Sequence, residues 1–245
     1  AHDPASVIGG VAGVAGVSAL ADSAVAAAFA AQWAALGLTC PIDVVGDAVT
    51  AFVAGVPAPS GAVLIAGTGA VAARIDGWRI GRTADGLGWL LGDEGSGAWI
   101  GLQAVRAAAR SWDSSLASAV AARAGAQSRD ELVRWAGGRP PAAFAALAPL
   151  VCASDDPLAR WITGAAATRL VATLGELGPV PGPVVLAGGL LTAATPVQAG
   201  VLAAVSPAPV IAGDPAAGAA WLALRRALEL DAGSAAHLHR RMVGA

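Results

Sequence analysis

The chain twice repeats a feature that strongly limits its fold: a short apolar run that ends in closely spaced glycines. Val63–Ala66 runs into Gly67-Thr68-Gly69, and Val184–Ala187 runs into Gly188-Gly189. Short apolar runs bounded by glycine are typical of buried strands. Glycine also lets backbone amides approach an anion, because no Cβ stands in the way. The pattern therefore predicts an α/β protein whose strand ends hold a polar ligand such as a phosphate.

The segment that follows the first glycine turn is also rich in turn signals. Residues 72–80 predict a hairpin that turns at Asp76-Gly77. Beyond it, glycines alternate with apolar residues up to a Gly-Asp-Glu-Gly-Ser-Gly run at residues 92–97. A glycine loop with two carboxylates suits a ligand that carries hydroxyl groups.

Missing residue types exclude several kinds of enzyme. The chain has no lysine, asparagine or tyrosine, so all 15 of its Lys and Arg residues are arginine. The Walker A loop, protein kinases and Schiff-base enzymes each need a lysine. The three histidines lie at the chain ends, which argues against a catalytic triad or a zinc site. Carboxylates, hydroxyls, arginine and amides remain, and they suit phosphoryl transfer.

Charge and cysteine content indicate the environment of the chain. Its net charge is -2 and no basic stripe is present, so we expect no nucleic acid partner. The uncharged run Pro4–Ala21 is almost long enough to span a bilayer. Its glycines favour a strand at Ser6–Val11 instead, so we expect neither a membrane span nor a signal peptide. Cys40 and Cys152 are isolated, which indicates the reducing cytosol.

Further elements are predicted before and after this central segment. Pro41–Val45 predicts a second strand, and Asp47 follows it, where ligands meet open α/β sheets. Asp47 could equally serve as the N-cap of the helix that follows. The other predictions are a helix at 18–36, a linker at 57–61, helices at 97–109, 115–124, 130–135, 142–151, 157–177, 196–205 and 214–230, a strand at 209–212 and a solvated tail from Asp231.

Three motifs in this order resemble the N-acetylglucosamine kinase group of the BadF/BadG/BcrA/BcrD ATPase family. They are LIAGTG, GLGWLLGDEGSGAWIG and VVLAGG. The resemblance implies a two-domain kinase of the actin and sugar-kinase superfamily, with ribonuclease-H-like α/β domains and a homodimer as a compatible assembly. It places an incomplete first domain at residues 1–60 with a closing helix at 214–230, a second domain at 61–213, and a tail at 231–245.

The resemblance also implies roles for individual residues. Asp47 matches the catalytic base, which also contacts the sugar. The expected ATP-binding residues are Gly67, Thr68, Gly69, Ala166, Gly188 and Gly189. The expected sugar-binding residues are Gly86, Leu87, Gly88 and Asp93. No protein metal ligand is assigned, and Mg²⁺ is expected to accompany ATP.

Some residues near these motifs have two interpretations. Glu94 and Ser96 could bind ligand or cap the next helix. Trp78, Trp89 and Trp99 could stack on a sugar, although packing is the more ordinary role of such aromatics.

The sequence departs from the family in one respect. No glycine-rich hairpin of the DGGGT type, the first phosphate loop of the family, precedes Asp47. The hypothesis is therefore a cytosolic kinase that uses ATP to phosphorylate the primary hydroxyl of N-acetylglucosamine or glucosamine. The alternatives are a truncated kinase fragment, a non-catalytic sugar or nucleotide sensor, and an ATPase that activates an acyl-CoA dehydratase.

Overall fold

The computed structural model describes residues 3–17, 20 and 22–243. The strands form a parallel pair near the start of the chain and a separate mixed sheet of five strands. They are β1 (Gly10–Val14), β2 (Ile42–Gly46), β3 (Gly61–Ala66), β4 (Ala70–Asp76), β5 (Arg79–Asp85), β6 (Val184–Ala187) and β7 (Val210–Ile211).

Helices connect and cover these strands. They are α1 (Ser23–Ala35), α2 (Asp47–Val53), α3 (Gly97–Arg110), α4 (Ser115–Ala124), α5 (Arg129–Ala136), α6 (Pro141–Ala145), α7 (Ala148–Cys152), α8 (Pro157–Gly175), α9 (Gly189–Thr192), α10 (Pro196–Ala204), α11 (Pro215–Ala227) and α12 (Ala232–Met242), with a 3₁₀ helix at Pro4–Ser6.

The larger sheet is built around the strand that precedes the first glycine turn. Its order is β5-β4-β3-β6-β7, with β3, β4 and β5 antiparallel and with β6 and β7 parallel to β3. Leu64 of β3 lies opposite Leu186 of β6, so the two runs that end in glycine are neighbours. The predicted hairpin, the two predicted strands that end in glycine and the α/β class are confirmed.

Successive residues of β3 point into two different hydrophobic cores. Ala62, Leu64 and Ala66 pack in the larger core with α3, α8 and α10. Val63 packs on the opposite face with α2 and α11. This alternation follows from the two-residue period of a strand. As a result, α2, which begins at Asp47, rests on a rigid sheet.

One buried carboxylate joins two helices of the larger core. Asp156 caps α8 by accepting a hydrogen bond from the Leu158 amide at 2.8 Å. Its other oxygen accepts from the Ser115 hydroxyl at 2.6 Å and from the Leu116 amide at 3.0 Å, in the first turn of α4. These hydrogen bonds, led by the one from Ser115, hold the pKa of Asp156 below its ordinary value.

The prediction of a solvated tail from Asp231 is wrong. Asp231 caps α12 instead, and the helix packs on the second core. His239 is buried, with its Nε2 atom 2.7 Å from the carbonyl oxygen of Val53 at the end of α2. Trp221 of α11 donates from its Nε1 atom to the Ala235 carbonyl at 2.8 Å. The last helix therefore fastens onto the helix that carries Asp47.

The first strand and first helix differ in extent from the prediction. Asp3 caps the 3₁₀ helix, so the strand expected at residues 6–11 begins only at Gly10. The helix expected at 18–36 begins at Ser23, after its cap Asp22, and Ser18 lies outside the described residues. Gly37, just after this helix, has a left-handed φ of 76°. The helix expected at 142–151 is two short helices, α6 and α7.

Within the described residues, no single helix has both the length and the hydropathy needed to cross a bilayer. Two consecutive helical segments, 141–152 and 157–175, meet those criteria only when taken together, and they meet at a bend of 114°.

Candidate active site

A cleft of about 570 Å³ separates the carboxyl ends of β1 and β2 from the β4–β5 hairpin. Gly46 and Asp47 line one wall, while Asp85 and Gly86 line the opposite wall. The predicted base and the first residue of the predicted sugar loop therefore share one cavity.

Asp47 is the first residue of α2 and points an exposed carboxylate toward this cleft. Gly46, and not Asp47, occupies the N-cap position, so the capping interpretation of Asp47 is wrong. One carboxylate oxygen accepts from the Ala48 amide at 2.9 Å. The other has no hydrogen-bond partner in the described part of the chain and can accept a proton from a ligand. Six of the seven α2 residues are buried, which fixes the carboxylate in place.

The glycine turn after β3 is held through its carbonyl groups. The amides of Gly97 and Ala98, at the start of α3, donate to the carbonyls of Gly67 at 2.8 Å and Thr68 at 3.1 Å. The Gly67 amide is engaged by the Gly69 carbonyl at 2.9 Å. The amides of Thr68 and Gly69 have no acceptor among the described residues. This turn, which we call the phosphate loop, thus presents two free amides and an exposed hydroxyl.

Asp93 lies against the phosphate loop. Its Oδ1 atom accepts from the Ala70 amide at 3.0 Å. A Cβ atom at Gly69 would lie 2.8 Å from the same oxygen, so Gly69 leaves the space that the carboxylate fills. Asp93 therefore connects the sugar loop, residues 86–94, to the phosphate loop. Its contact with sugar stays a prediction.

The sugar loop is closed at its base by Asp85, a residue that the sequence reasoning missed. Asp85 accepts from the amides of Asp93 at 2.7 Å and Glu94 at 2.8 Å. Within the loop, Gly86 and Gly88 have φ values of 72° and 79°, which explains the glycines there. The intervening Leu87 is 66% exposed and lines a smaller cavity on the far side of the loop.

The remaining predicted ATP-binding residues lie at the turn from β6 into α9 and on α8. Gly188 has a φ of 83°, and a Cβ atom there would collide with the backbone of Ala66. Gly189 faces open space at the start of α9. Ala166 is fully buried in α8, and its carbonyl oxygen lies directly under Gly95. Glycine at 188 thus brings β6 against the start of the phosphate loop, while the contact of each residue with nucleotide stays a prediction.

The aromatic residues of this segment have packing partners. Trp89 stacks on Phe144 with ring centroids 6.4 Å apart. Arg169 lies over the Trp99 ring at 4.9 Å and also pairs with Glu94 at 3.1 Å. Ser96 caps α3 by accepting from the Trp99 amide, so its capping interpretation is confirmed.

Comparison with known proteins gives the same fold and a family. A solved structure of a provisionally named N-acetylglucosamine kinase from Chromobacterium violaceum is 26% identical, with a TM-score of 0.69. The alignment covers 89% of this chain and 76% of that one. A provisionally named N-acetylglucosamine kinase from Porphyromonas gingivalis is 21% identical, with a TM-score of 0.66 over 89% of this chain and 77% of that one. The predicted actin and sugar-kinase ATPase fold is confirmed.

A curated relative matches part of the chain. The N-acetylmuramic acid/N-acetylglucosamine kinase of Clostridium acetobutylicum is 40% identical over 80 residues, which are 32% of this chain and 26% of that protein. The match thus spans about a quarter of the length of that relative. The sequence profile of the BadF/BadG/BcrA/BcrD ATPase family, in contrast, matches residues 3–223. The chain therefore belongs to the BadF/BadG/BcrA/BcrD ATPase family.

Proposed function

We propose that this member of the family is an ATP-dependent kinase that phosphorylates the primary hydroxyl of an amino sugar, N-acetylglucosamine or glucosamine. The observation that carries the proposal is the cleft shared by Asp47 and the base of the sugar loop. The names of the Chromobacterium and Clostridium relatives support the choice of sugar.

In the proposed reaction, Asp47 accepts the proton of the sugar hydroxyl through its free oxygen. The hydroxyl oxygen attacks the γ-phosphorus of ATP, and the bond from that phosphorus to the bridging oxygen breaks. ADP leaves with the electron pair. The free amides of Thr68 and Gly69 suit the phosphate oxygens, because donors already in place stabilise charge in the transition state without reorganisation.

The oxygen atoms beside the phosphate loop suit Mg²⁺ brought in with ATP. They belong to the Thr68 hydroxyl and the Asp93 carboxylate, and Mg²⁺ prefers oxygen ligands. Among the described residues, no group of three or more His, Cys, Asp or Glu side chains could hold a metal ion. Mg²⁺ commonly keeps several waters and binds through substrate phosphates together with one or two carboxylates. When bound, Mg²⁺ would offset negative charge on the phosphate oxygens.

Two other functions are tested by the same assay. A sensor would bind sugar or nucleotide without consuming ATP. An activator of an acyl-CoA dehydratase would share an iron–sulfur cluster through cysteines. Cys40 precedes β2 and Cys152 ends α7, and both are free thiols that are half-buried. Burial raises the pKa of Cys152, which disfavours the thiolate that a cluster needs.

The deciding experiment measures ADP release from Mg-ATP by the full chain against a panel of hexoses and amino sugars. Asp47→Asn should lower kcat by at least about 100-fold, because a general base contributes that much or more. Asp113→Asn is the matched control, since Asp113 is exposed and has no hydrogen bond or ion pair within the described residues.

Each outcome of this assay has a clear meaning. Turnover with one amino sugar that is lost only in Asp47→Asn supports the proposal. No turnover by a folded wild-type chain would refute it, and equal activity in the two variants would remove Asp47 from the mechanism.

A further inference from the structure

We propose that Asp85 is a positioning residue that fixes the sugar loop onto the phosphate loop, so that one carboxylate outside both loops sets their relative placement. The inference rests on the proposed function for its kinetic consequences. Its structural part concerns the conformation of residues 86–94 and can be tested without turnover.

Both oxygens of Asp85 are engaged by backbone amides. Oδ1 accepts from Asp93 at 2.7 Å and more weakly from Leu87 at 3.4 Å. Oδ2 accepts from Glu94 at 2.8 Å. The hydrogen bonds from Asp93 and Glu94 close the loop at its base, because these residues lie eight and nine positions after Asp85. Asp85 itself is held in place at the end of β5, where it stands opposite Val71. A carboxylate so engaged is poorly suited to act as a base, so its effect on the reaction is indirect.

A second carboxylate carries the constraint to the phosphate loop. Asp93 has a left-handed φ of 56°, a conformation that non-glycine residues seldom adopt without help. The bond from its amide to Asp85 holds it there, and its own Oδ1 atom then reaches the Ala70 amide at 3.0 Å. Asp85, Asp93 and Ala70 thus form a continuous connection from the end of β5 through the sugar loop to the start of β4, directly after the phosphate loop.

Gly92 provides independent evidence for this connection. A Cβ atom at Gly92 would collide with the Asp85 carboxylate and lie 3.1 Å from the Cβ atom of Leu87. Its φ lies outside the left-handed region, so the backbone itself permits alanine. The absence of a side chain at Gly92 is therefore required by the position of Asp85.

The first test compares Asp85→Asn with wild type. The amide side chain keeps one acceptor oxygen and loses the other, so one bond to the loop is lost. Hydrogen bonds that involve a charged group are strong, and we expect kcat/KM for the amino sugar to fall on the order of 10- to 100-fold. We also expect KM for ATP to rise, although Asp85 lies outside the phosphate loop. Asp76→Asn is the control, because Asp76 is exposed at the other end of the same hairpin and pairs with half-buried Arg74.

A double-mutant cycle then separates positioning from general damage. Gly92→Ala should displace the Asp85 carboxylate and reproduce the Asp85→Asn kinetics. In an Asp85→Ala background the collision with the carboxylate is gone and only the 3.1 Å contact with the Leu87 Cβ atom remains, so the same Gly92→Ala change should lower kcat/KM clearly less than it does in wild type. Additive losses in kcat/KM would overturn the proposal.

Amide hydrogen exchange of the free protein gives a readout that is independent of catalysis. In Asp85→Asn the amides of Asp93 and Glu94 should exchange faster, while those of α3 and β3 should stay unchanged. Unchanged exchange at both loop amides would overturn the proposal. A wild-type chain without turnover would refute the proposed kinase function, and the exchange comparison would still decide the role of Asp85.

Discussion

Replacement of Asp156 by alanine should destabilise the fold by about 3 kcal/mol. The variant removes the cap of α8, for which about 1 kcal/mol is typical. It also leaves the Leu116 amide, a buried donor in α4, without its partner, and such a loss costs about 1–3 kcal/mol. The Ser115 hydroxyl is exposed and can bind water, so its loss adds little.

Denaturant unfolding of wild type, Asp156→Ala and Asp156→Asn measures these free energies. The asparagine variant keeps one acceptor oxygen and should fall between the other two. Asp155→Ala is the control, because the Asp155 side chain is fully exposed and should give no measurable change. A loss well under about 1 kcal/mol in Asp156→Ala would refute the hydrogen-bond argument.

The dependence on pH tests the same contacts. The folded pKa of Asp156 lies below its unfolded value of 3.8, so its stabilisation is complete above that value. It is lost as the pH falls through the folded pKa. The difference in unfolding free energy between wild type and Asp156→Asn should therefore be largest at neutral pH and should decrease in acid. A gap that stays constant below pH 3.8 would contradict this assignment.

Two further predictions concern backbone and helix contacts. Gly188→Ala should destabilise the fold by about 1–3 kcal/mol, because it strains a left-handed φ and collides with Ala66. Gly189→Ala is the control in the same unfolding assay and should be nearly neutral, because Gly189 faces open space. Equal losses of unfolding free energy in the two variants would contradict the reasoning. His239→Ala should lower the unfolding free energy by about 2–3 kcal/mol, because it leaves the buried Val53 carbonyl without its partner. His237→Ala is the control, because His237 is exposed. Similar melting curves for the two variants would show that the contact of His239 does not hold α12 in place.

The glycine-bounded strands could be predicted from sequence because their signal is local. Val63–Ala66 and Val184–Ala187 each carry an apolar run and its stop within a few residues, and both form buried strands. The capping interpretation of Ser96 was available for the same reason, since a cap and its amide lie two or three residues apart.

The connection made by Asp85 could not be predicted in this way. Its principal partners lie eight and nine residues away, and the glycines between them give no periodic pattern. Only the folded loop brings those amides to the carboxylate. The left-handed φ of Asp85, 58°, likewise has no signal in the Thr-Ala-Asp-Gly sequence beyond a turn.

The final helix was missed because its composition resembles a tail. Gly233 and the cluster of histidine and arginine near its end favour a solvated segment. Ala235 and His239 nevertheless lie four residues apart on one buried face. Asp231 was the available start signal, since its side chain caps the helix.

The packing of α2 has a consequence for how the protein is synthesised. A Cβ atom at Gly218 of α11 would lie 2.7 Å from the Thr50 carbonyl oxygen, so α11 and α2 touch backbone to backbone. The cover of the helix that begins at Asp47 is thus translated well over a hundred residues after the helix itself. Contacts between such distant segments form slowly, because a long loop must close first. On the ribosome, Asp47 should therefore reach its final position only after α11 has emerged, long after α2 itself.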